Sequence, residues 1–156
     1  MSSEAPFARW AEQYMDMVFR VAFGYVKNRA DADDVTQTVF LRLLRAKKPP
    51  EEETHVRHWL LRVTINESKR LLCAPWRKHG ELTECAEAAA LPSAEHAELL
   101  DAVLRLPPNY RTAICLHYYE GCTAEEIGRL LGVPRATVLT WLRRARERLK
   151  KEWTEA

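Results

Sequence analysis

The sequence predicts an all-α protein made of two small helical domains joined by a flexible linker. Apolar residues recur at steps of three and four without sustained apolar–polar alternation, a pattern typical of amphipathic helices rather than strands. Between Gly80 and Asp101 the composition changes, and acidic residues occur there without any lysine or arginine. A chain of 156 residues has room for two small domains, which we place at 1–75 and 94–156 with a linker at 76–93.

The N-terminal domain is predicted to contain three helices. The first carries an apolar stripe over residues 7–25. Asp31 is the expected N-cap of the second helix, which ends before Pro49 because proline disfavours helix in the residue that precedes it. Thr54 is the expected cap of a third helix that runs to Leu72. Pro75 follows and is expected to stop this helix.

The C-terminal domain is predicted to contain four helices, the last two of which form a helix-turn-helix. Ser93 caps the first helix, and the pair Pro107-Pro108 ends it and starts the second, which runs to Tyr119. Thr123 and the glutamate three residues later form a capping box at the start of the third helix. Gly132 suits the left-handed position that ends this helix, and the fourth follows directly.

The last helix carries a concentration of positive charge. Residues 135–151 contain seven cations and one anion, so this segment has a net charge of +6 in a chain that totals +2. A field of this size attracts DNA phosphates, and arginine can also read guanine in the major groove. The combination of a helix-turn-helix with this charge predicts a DNA-binding element.

Two segments of the N-terminal domain carry weaker signals. The segment 59–70 combines Trp59 with three cations, which suits single-stranded DNA but equally suits an amphipathic helix with a core tryptophan. The polar face of 31–45 is either a docking surface for a larger partner or an ordinary solvated helix face.

Several classes of protein are disfavoured by the composition. No apolar run approaches the roughly 18 residues that span a membrane. Residues 1–7 lack the basic start and apolar stretch of a signal peptide, so a cytoplasmic protein without membrane insertion is expected. The four cysteines form no CxxC pair and have no histidines at zinc-ligand spacing. We therefore expect reduced thiols, no metal and no cofactor.

Taken in order, the motifs resemble those of a sigma-70 family factor of the extracytoplasmic-function group. Asp31–Leu43 resembles the region 2 helix, usually close to DAEDLVQEVFLRL, and Trp59–Leu72 resembles the helix that follows it. Leu106–Arg111 resembles the LPxxxR opening of region 4, and Tyr118–Gly128 resembles YYEGxSxEEIA. Gly132–Leu149 resembles the recognition helix that ends in RARxxL.

This resemblance covers about residues 7–152 and implies an alternative sigma factor, a promoter-reading subunit of RNA polymerase that is not itself an enzyme. The residues implied to dock on the clamp of the largest polymerase subunit are Asp33, Asp34, Gln37, Thr38, Leu41 and Arg42. Those implied to hold the melted −10 element are Arg57, Trp59, Arg62, Asn66, Lys69 and Arg70. Those implied to bind the −35 duplex are Arg135, Thr137, Leu139, Thr140, Arg143, Arg144 and Arg146. The flap of the second-largest subunit and an anti-sigma factor are further implied partners.

Four positions depart from the family pattern. Thr38 replaces a usual glutamate, and His117 stands where arginine is common. Leu139 and Trp141 occupy positions often held by arginine or lysine. These two residues either face the DNA of an unusual promoter or face an inhibitory protein, since exposed apolar residues often mark interfaces.

Two other functions stay open from the residues alone. A stand-alone transcription regulator would use the same helix-turn-helix as a dimer, but the N-terminal half shows no convincing ligand pocket or phosphorylation site. An enzyme could use His55 and His58 with the acidic residues 51–53 as a metal site, although no third ligand is evident.

Overall fold

A computed structural model describes residues 4–74 and 97–155, with side chains for 7–74 and 98–152. In these two ranges the ordered backbone is helical and contains no strand, which confirms the all-α prediction. Each range forms a compact unit of its own. The predicted linker at 76–93, the cap at Ser93 and the stop at Pro75 lie outside the described residues.

The first unit is a bundle of three helices. They are α1 (Glu4–Val26), α2 (Arg29–Arg45) and α3 (Glu53–Leu72). Each helix packs on the other two, as expected of elements that each carry one apolar stripe. The core side chains that are almost fully enclosed are Val18, Phe23, Val39, Val56, Leu60, Leu61 and Ile65. Their burial is the main force that holds the bundle together.

The predicted N-cap of α2 is wrong. Asn28 is the cap, and its side-chain oxygen accepts a hydrogen bond from the backbone N–H of Asp31 at 2.9 Å. Lys27, with φ of 55°, occupies the left-handed region and redirects the chain at this corner. The helix therefore begins at Arg29, and Asp31 lies in its first turn, where its carboxylate still faces the positive end of the helix.

The predicted cap of α3 is also wrong. The helix begins at Glu53, one residue before Thr54, and its N-cap Glu52 makes no side-chain capping hydrogen bond. The Glu53 carboxylate is instead held by α1, because it accepts hydrogen bonds from Gln13 Nε2 at 2.8 Å and from the Tyr14 hydroxyl at 3.3 Å. Contacts with α1, rather than a local cap, accompany the start of α3.

The second unit contains four α-helices. They are α4 (Ala97–Leu104), α5 (Pro108–Ile114), α6 (Ala124–Leu131) and α7 (Arg135–Glu155). Both α5 and α6 pack against α7, which is the helix that the others share as a packing partner. The most enclosed side chains of this unit are Ala113, Leu116, Cys122, Ile127, Val138 and Ala145.

The second helix of this unit begins as predicted, but its last turn has a different form. Pro107 is the N-cap and Pro108 is the first helical residue, in agreement with the tolerance of proline at that position. The segment Cys115–Tyr119 continues the helix as a π-helical turn. Buried Arg111 ties α5 to the end of α4, because its Nη1 donates to the carbonyl of Leu106 at 3.1 Å.

The turn between α6 and α7 has the geometry that the sequence predicts. Thr123 Oγ1 accepts from the Glu126 N–H at 3.1 Å, and Glu126 Oε1 accepts from the Thr123 N–H at 2.9 Å, which completes the capping box. Gly132 ends α6 in the left-handed conformation at φ 73°. A Cβ at Gly128 would lie 2.7 Å from the Val133 carbonyl oxygen, so the turn packs directly on α6. A short, tightly packed turn of this kind fixes the direction in which α7 leaves.

Candidate nucleic-acid interface

All seven residues predicted to bind the −35 duplex lie on α7, and none of them is fully buried. The fully buried side chains of α7 are Val138, Leu142 and Ala145, which follow the helical period and lie on one side, and Trp141 and Leu149 are half-buried. The predicted residues that are exposed are Arg135, Leu139, Arg143, Arg144 and Arg146, whereas Thr137 and Thr140 are half-buried. We call the part of α7 formed by Arg135, Ala136, Leu139, Thr140, Arg143 and Arg144 the outer face.

The arginines of α7 differ in how strongly they are held. Arg143 Nη1 lies 3.4 Å from Glu147 Oε2 one turn along the helix, but both side chains are exposed and such pairs contribute less than about 1 kcal/mol. Arg146 Nη1 donates to the Tyr118 hydroxyl at 3.4 Å, across to the π-helical turn. Arg143 therefore remains available to a phosphate, while Arg146 is directed by a neighbouring aromatic side chain.

Aromatic residues before α6 support α7, a role that sequence reasoning missed. The Arg148 guanidinium lies 5.5 Å from the centre of the Tyr110 ring, within cation–π distance. Tyr118 is 57% exposed beside Arg146. The signal available in the sequence was the tyrosine pair 118–119 before the capping box, but its partners on α7 follow only from the packing of the helices.

His117 has a structural role in the turn that precedes α6. Its Nδ1 donates to the Cys122 carbonyl at 2.9 Å, and its ring meets Tyr118 edge to face with centroids 4.8 Å apart. Cys122 is itself 1% exposed. The histidine that stands here in place of the usual arginine therefore bonds across the loop between the π-helical turn and α6.

One side of α3 brings together most of the residues predicted to hold −10 DNA. Arg62, Asn66, Lys69 and Arg70 are exposed, and their spacing of three and four residues aligns them along the helix. Trp59 is half-buried at the start of this side. The result is a row of cations with an amide in its middle and an aromatic ring at its end.

Arg57 is not part of this row. Burial and the Glu53 carboxylate raise the pKa of Tyr14 on α1, and the charge of Arg57 offsets part of that rise. Arg57 therefore lies toward α1. Five residues separate it from Arg62, which places the two side chains about 140° apart around the helix axis.

A buried carboxylate on α3 connects the two predicted surfaces of the first unit. Glu67 is 7% exposed, and its two oxygens lie 2.6 Å from Arg42 Nη2 and 2.9 Å from Arg70 Nη2. Arg42 belongs to the predicted polymerase surface on α2, and Arg70 to the predicted DNA row on α3. Sequence reasoning missed Glu67, although its spacing from Leu60 and Thr64 places it on the buried face.

The solvent-facing side of α2 combines charge with exposed leucine. Asp33, Asp34, Gln37, Leu41 and Arg42 are exposed, while Thr38 is half-buried. The structure adds Leu44, which is 42% exposed one turn from Leu41, itself 46% exposed. Two neighbouring exposed leucines among polar groups are typical of a surface that a protein partner covers.

The described residues give no support to a metal-dependent enzyme. Within 4–74 and 97–155, no three histidine, cysteine, aspartate or glutamate side chains come together in a way that could hold a metal ion. His55 Nδ1 lies 3.6 Å from Glu52 Oε1, but both side chains are more than two-thirds exposed. In the same part of the chain, no helix is long and apolar enough to cross a membrane.

The described cysteines do not form disulfides. Burial raises the pKa of the Cys115 thiol to about 12. This thiol therefore stays protonated at neutral pH, in keeping with an inert packing role.

Replacement of Glu67 by glutamine is expected to destabilise the first unit by about 1–2 kcal/mol, because hydrogen bonds to charged groups contribute at the upper end of the usual range. Exposed Arg42 and Arg70 would recover water, which limits the loss. Amide hydrogen exchange of α1 and α3 in the full chain measures the change. Glu52→Gln removes an exposed carboxylate and is the matched control, expected to stay within about 0.5 kcal/mol. Equal protection from exchange in the two variants would mean that the ion pairs of Glu67 with Arg42 and Arg70 contribute nothing to the stability of the first unit.

Comparison with known proteins links both units to one family. The family model "Sigma-70 region 2" matches residues 10–78, which cover most of the three-helix bundle. The model "Sigma-70, region 4" matches residues 96–149, which cover α6, the turn and most of α7. The two models match the chain in the order in which the corresponding motifs occur.

Individual relatives carry the same description. The chain is 32% identical to the ECF RNA polymerase sigma factor SigE of Mycolicibacterium smegmatis over 94% of its own length, and spans 62% of that relative. It is 29% identical to the RNA polymerase sigma factor CarQ of Myxococcus xanthus, covering 93% of this chain and 85% of the relative. The fold is similar to that of the sigma factor RpoE of Bartonella quintana, solved with the anti-sigma factor NepR, at a TM-score of 0.72 and 19% identity over 94% of this chain and 95% of RpoE.

Proposed function

This chain belongs to the sigma-70 family of RNA polymerase sigma factors, and from that membership we propose that it is an alternative sigma factor of the extracytoplasmic-function group. It directs core RNA polymerase to specific promoters and has no catalytic centre of its own. It acts in the cytoplasm together with the polymerase. The observation that carries the proposal is the helix-turn-helix whose second helix holds a +6 segment.

The C-terminal domain, residues 94–156, reads the duplex at the −35 element. The outer face of α7 enters the major groove, and its arginines neutralise phosphates and set the register. Base edges are then read by the side chains in the middle of that face. The exposure of this face, and the close packing of Val133 in the turn against Gly128 of α6, support this arrangement. The same domain binds the flap of the second-largest polymerase subunit.

The N-terminal domain, residues 1–75, docks on the polymerase and holds melted −10 DNA. The exposed side of α2, with Gln37 and Leu41 at its centre, binds the clamp of the largest subunit. The row on α3 follows the DNA backbone, and Asn66 receives an unpaired base whose removal from the stack costs a few kcal/mol. Glu67 holds Arg42 and Arg70 in place between these two surfaces.

The linker at 76–93 raises the effective concentration of one domain for its DNA element once the other has bound. An anti-sigma factor restrains this chain. The support for that partner is the Bartonella quintana sigma factor of similar fold, which was solved with the anti-sigma factor NepR.

In vitro transcription tests the proposal. Core RNA polymerase is incubated with a pooled promoter library, with and without this protein, and the transcripts are sequenced. We expect transcripts that depend on the protein and share one pair of promoter elements. Absence of stimulation by the folded protein, combined with binding of duplex DNA as a free dimer, would favour the stand-alone regulator instead.

A further inference from the structure

The middle of the outer face of α7 is apolar. Leu139 is 41% exposed on α7, whose residues 135–151 have a net charge of +6. It lies one helical turn from Arg135 on one side and one turn from Arg143 on the other. Its neighbours on the face, Ala136 and Thr140, have short side chains with one methyl group each, and Thr140 adds a hydroxyl. Small and apolar groups therefore lie in the centre of this face, with exposed arginines on either side.

Leu139 is not needed by the core. Val138, Leu142 and Ala145 form the buried side of α7. Leu139 lies at the margin of this side, about 100° around the helix from Val138 and about 60° from Leu142, and 41% of its surface is exposed. Leucine and arginine have similar helix propensity, so the helix itself does not favour one over the other here. The side chain at this position is therefore set by what lies outside the fold.

We propose that Leu139, together with Ala136 and Thr140, reads thymine methyl groups in the major groove of the −35 element. The thymine C5-methyl is the apolar group that base pairs present in that groove, and small or apolar side chains contact it. The promoter bound by this chain then carries a T·A pair where Leu139 falls. This inference rests on the proposed function and adds to it the chemistry of the base that is recognised.

The surrounding charge favours DNA over an apolar protein surface as the occupant. A protein that covered Leu139 would also cover exposed Arg135 and Arg143, and burying unpaired guanidinium groups is costly. A DNA duplex places phosphates on both sides of the groove, where these two arginines find partners while the leucine meets base edges. A DNA duplex therefore offers partners to the two arginines and to the leucine at the same time.

The expected effect is modest and specific. One methyl group removed from water corresponds to about 0.8 kcal/mol, which converts to a preference of about fourfold for thymine over uracil. Uracil differs from thymine only by that methyl group. Deoxyuridine therefore isolates the proposed contact without a change in hydrogen bonding.

The test uses the complete chain bound to core polymerase. Selection from a library with a randomised −35 element first locates the thymine, and competition binding then compares thymine with deoxyuridine there. We expect the unaltered chain to bind the deoxyuridine duplex about fourfold more weakly. Leu139→Ala should bind both duplexes equally. Leu99→Ala, at a leucine on α4 that is 37% exposed, is the matched control and should keep the preference.

A third variant reverses the chemistry. Leu139→Arg should shift the selected base from thymine to guanine, because arginine pairs with guanine in the major groove. Equal binding of thymine and deoxyuridine by the unaltered chain would overturn the inference, as would promoter selection by Leu139→Ala that is unchanged at every position; the latter result would assign Leu139 to a protein partner. If the unaltered chain directs promoter-specific transcription, each of these two results refutes only the proposed role of Leu139. If the unaltered chain directs no promoter-specific transcription, the proposed function itself is refuted.

Discussion

Replacement of Gly128 by valine is expected to lower the free energy of unfolding of the C-terminal unit by about 3 kcal/mol, at the upper end of the usual cost of overpacking. A Cβ at this position would meet the Val133 carbonyl oxygen at 2.7 Å, which is closer than real Cβ contacts come, and valine adds two further methyl groups. The obstacle is backbone, which cannot rotate away as a side chain can. The turn would open, and α7 would lose the direction that the turn gives it.

Urea unfolding and −35-dependent transcription measure the two consequences of this change. Arg129→Val, on the next residue of α6, is the matched control because it is exposed and carries the same weak helix propensity of valine. Its loss should stay near 0.5 kcal/mol. Similar unfolding midpoints for the two variants would contradict the prediction. They would mean that the turn can move away from α6 without a loss of stability.

Replacement of Arg143 and Arg144 together by glutamine is expected to weaken −35 binding by about 100-fold, because each charge-assisted contact contributes about tenfold. Both side chains are exposed on the outer face, and the weak pair of Arg143 with Glu147 does not compete with a phosphate. Removal of two phosphate contacts should also reduce the slope of log affinity against log salt concentration by about 1.8.

Titration of promoter duplex with the polymerase-bound chain at several salt concentrations measures both quantities. Arg105→Gln is the control. It also removes an exposed cation from the second unit, but Arg105 pairs with Glu152 and is not part of the outer face. Its salt slope should equal that of the unaltered chain. A double variant that loses affinity while keeping the full slope would show that the two arginines do not contact phosphates.

Features that depend on neighbours in the chain were predictable from the sequence. The capping box of Thr123 and Glu126 joins residues three apart, and Gly132 ends α6 through its own backbone freedom. The start of α5 at Pro108 depends only on the fixed φ of proline. In each case the residues that decide the geometry lie within one helical turn.

Features that depend on distant contacts were not predictable. The start of α2 is a local ambiguity instead, because Asn28 and Asp31 are both good caps by residue type and the sequence pattern does not choose between them. At the start of α3, Glu53 bonds to Gln13 and Tyr14, about forty positions earlier in the chain. Propensity within a short window contains no information about such contacts.

The candidate site divides in the same way. The exposed row on α3 and the outer face of α7 follow from the helical period, which is visible in the sequence. The bridge from Glu67 to Arg42, and the support of Arg146 by Tyr118, require two elements to be packed against each other. The resemblance grouped Arg57 with Arg62, and the helical period places these two side chains on different sides of α3.

The division of α7 into a core side and an outer face has a consequence for evolution. Substitutions at Leu139 or Thr140 leave Val138, Leu142 and Ala145 untouched, and surface changes of this kind usually alter stability by less than about 0.5 kcal/mol. The outer face can therefore vary without bringing the protein below the stability that it needs to function. After a gene duplication, two copies could diverge in the promoters they serve through single substitutions, each passing only through folded intermediates.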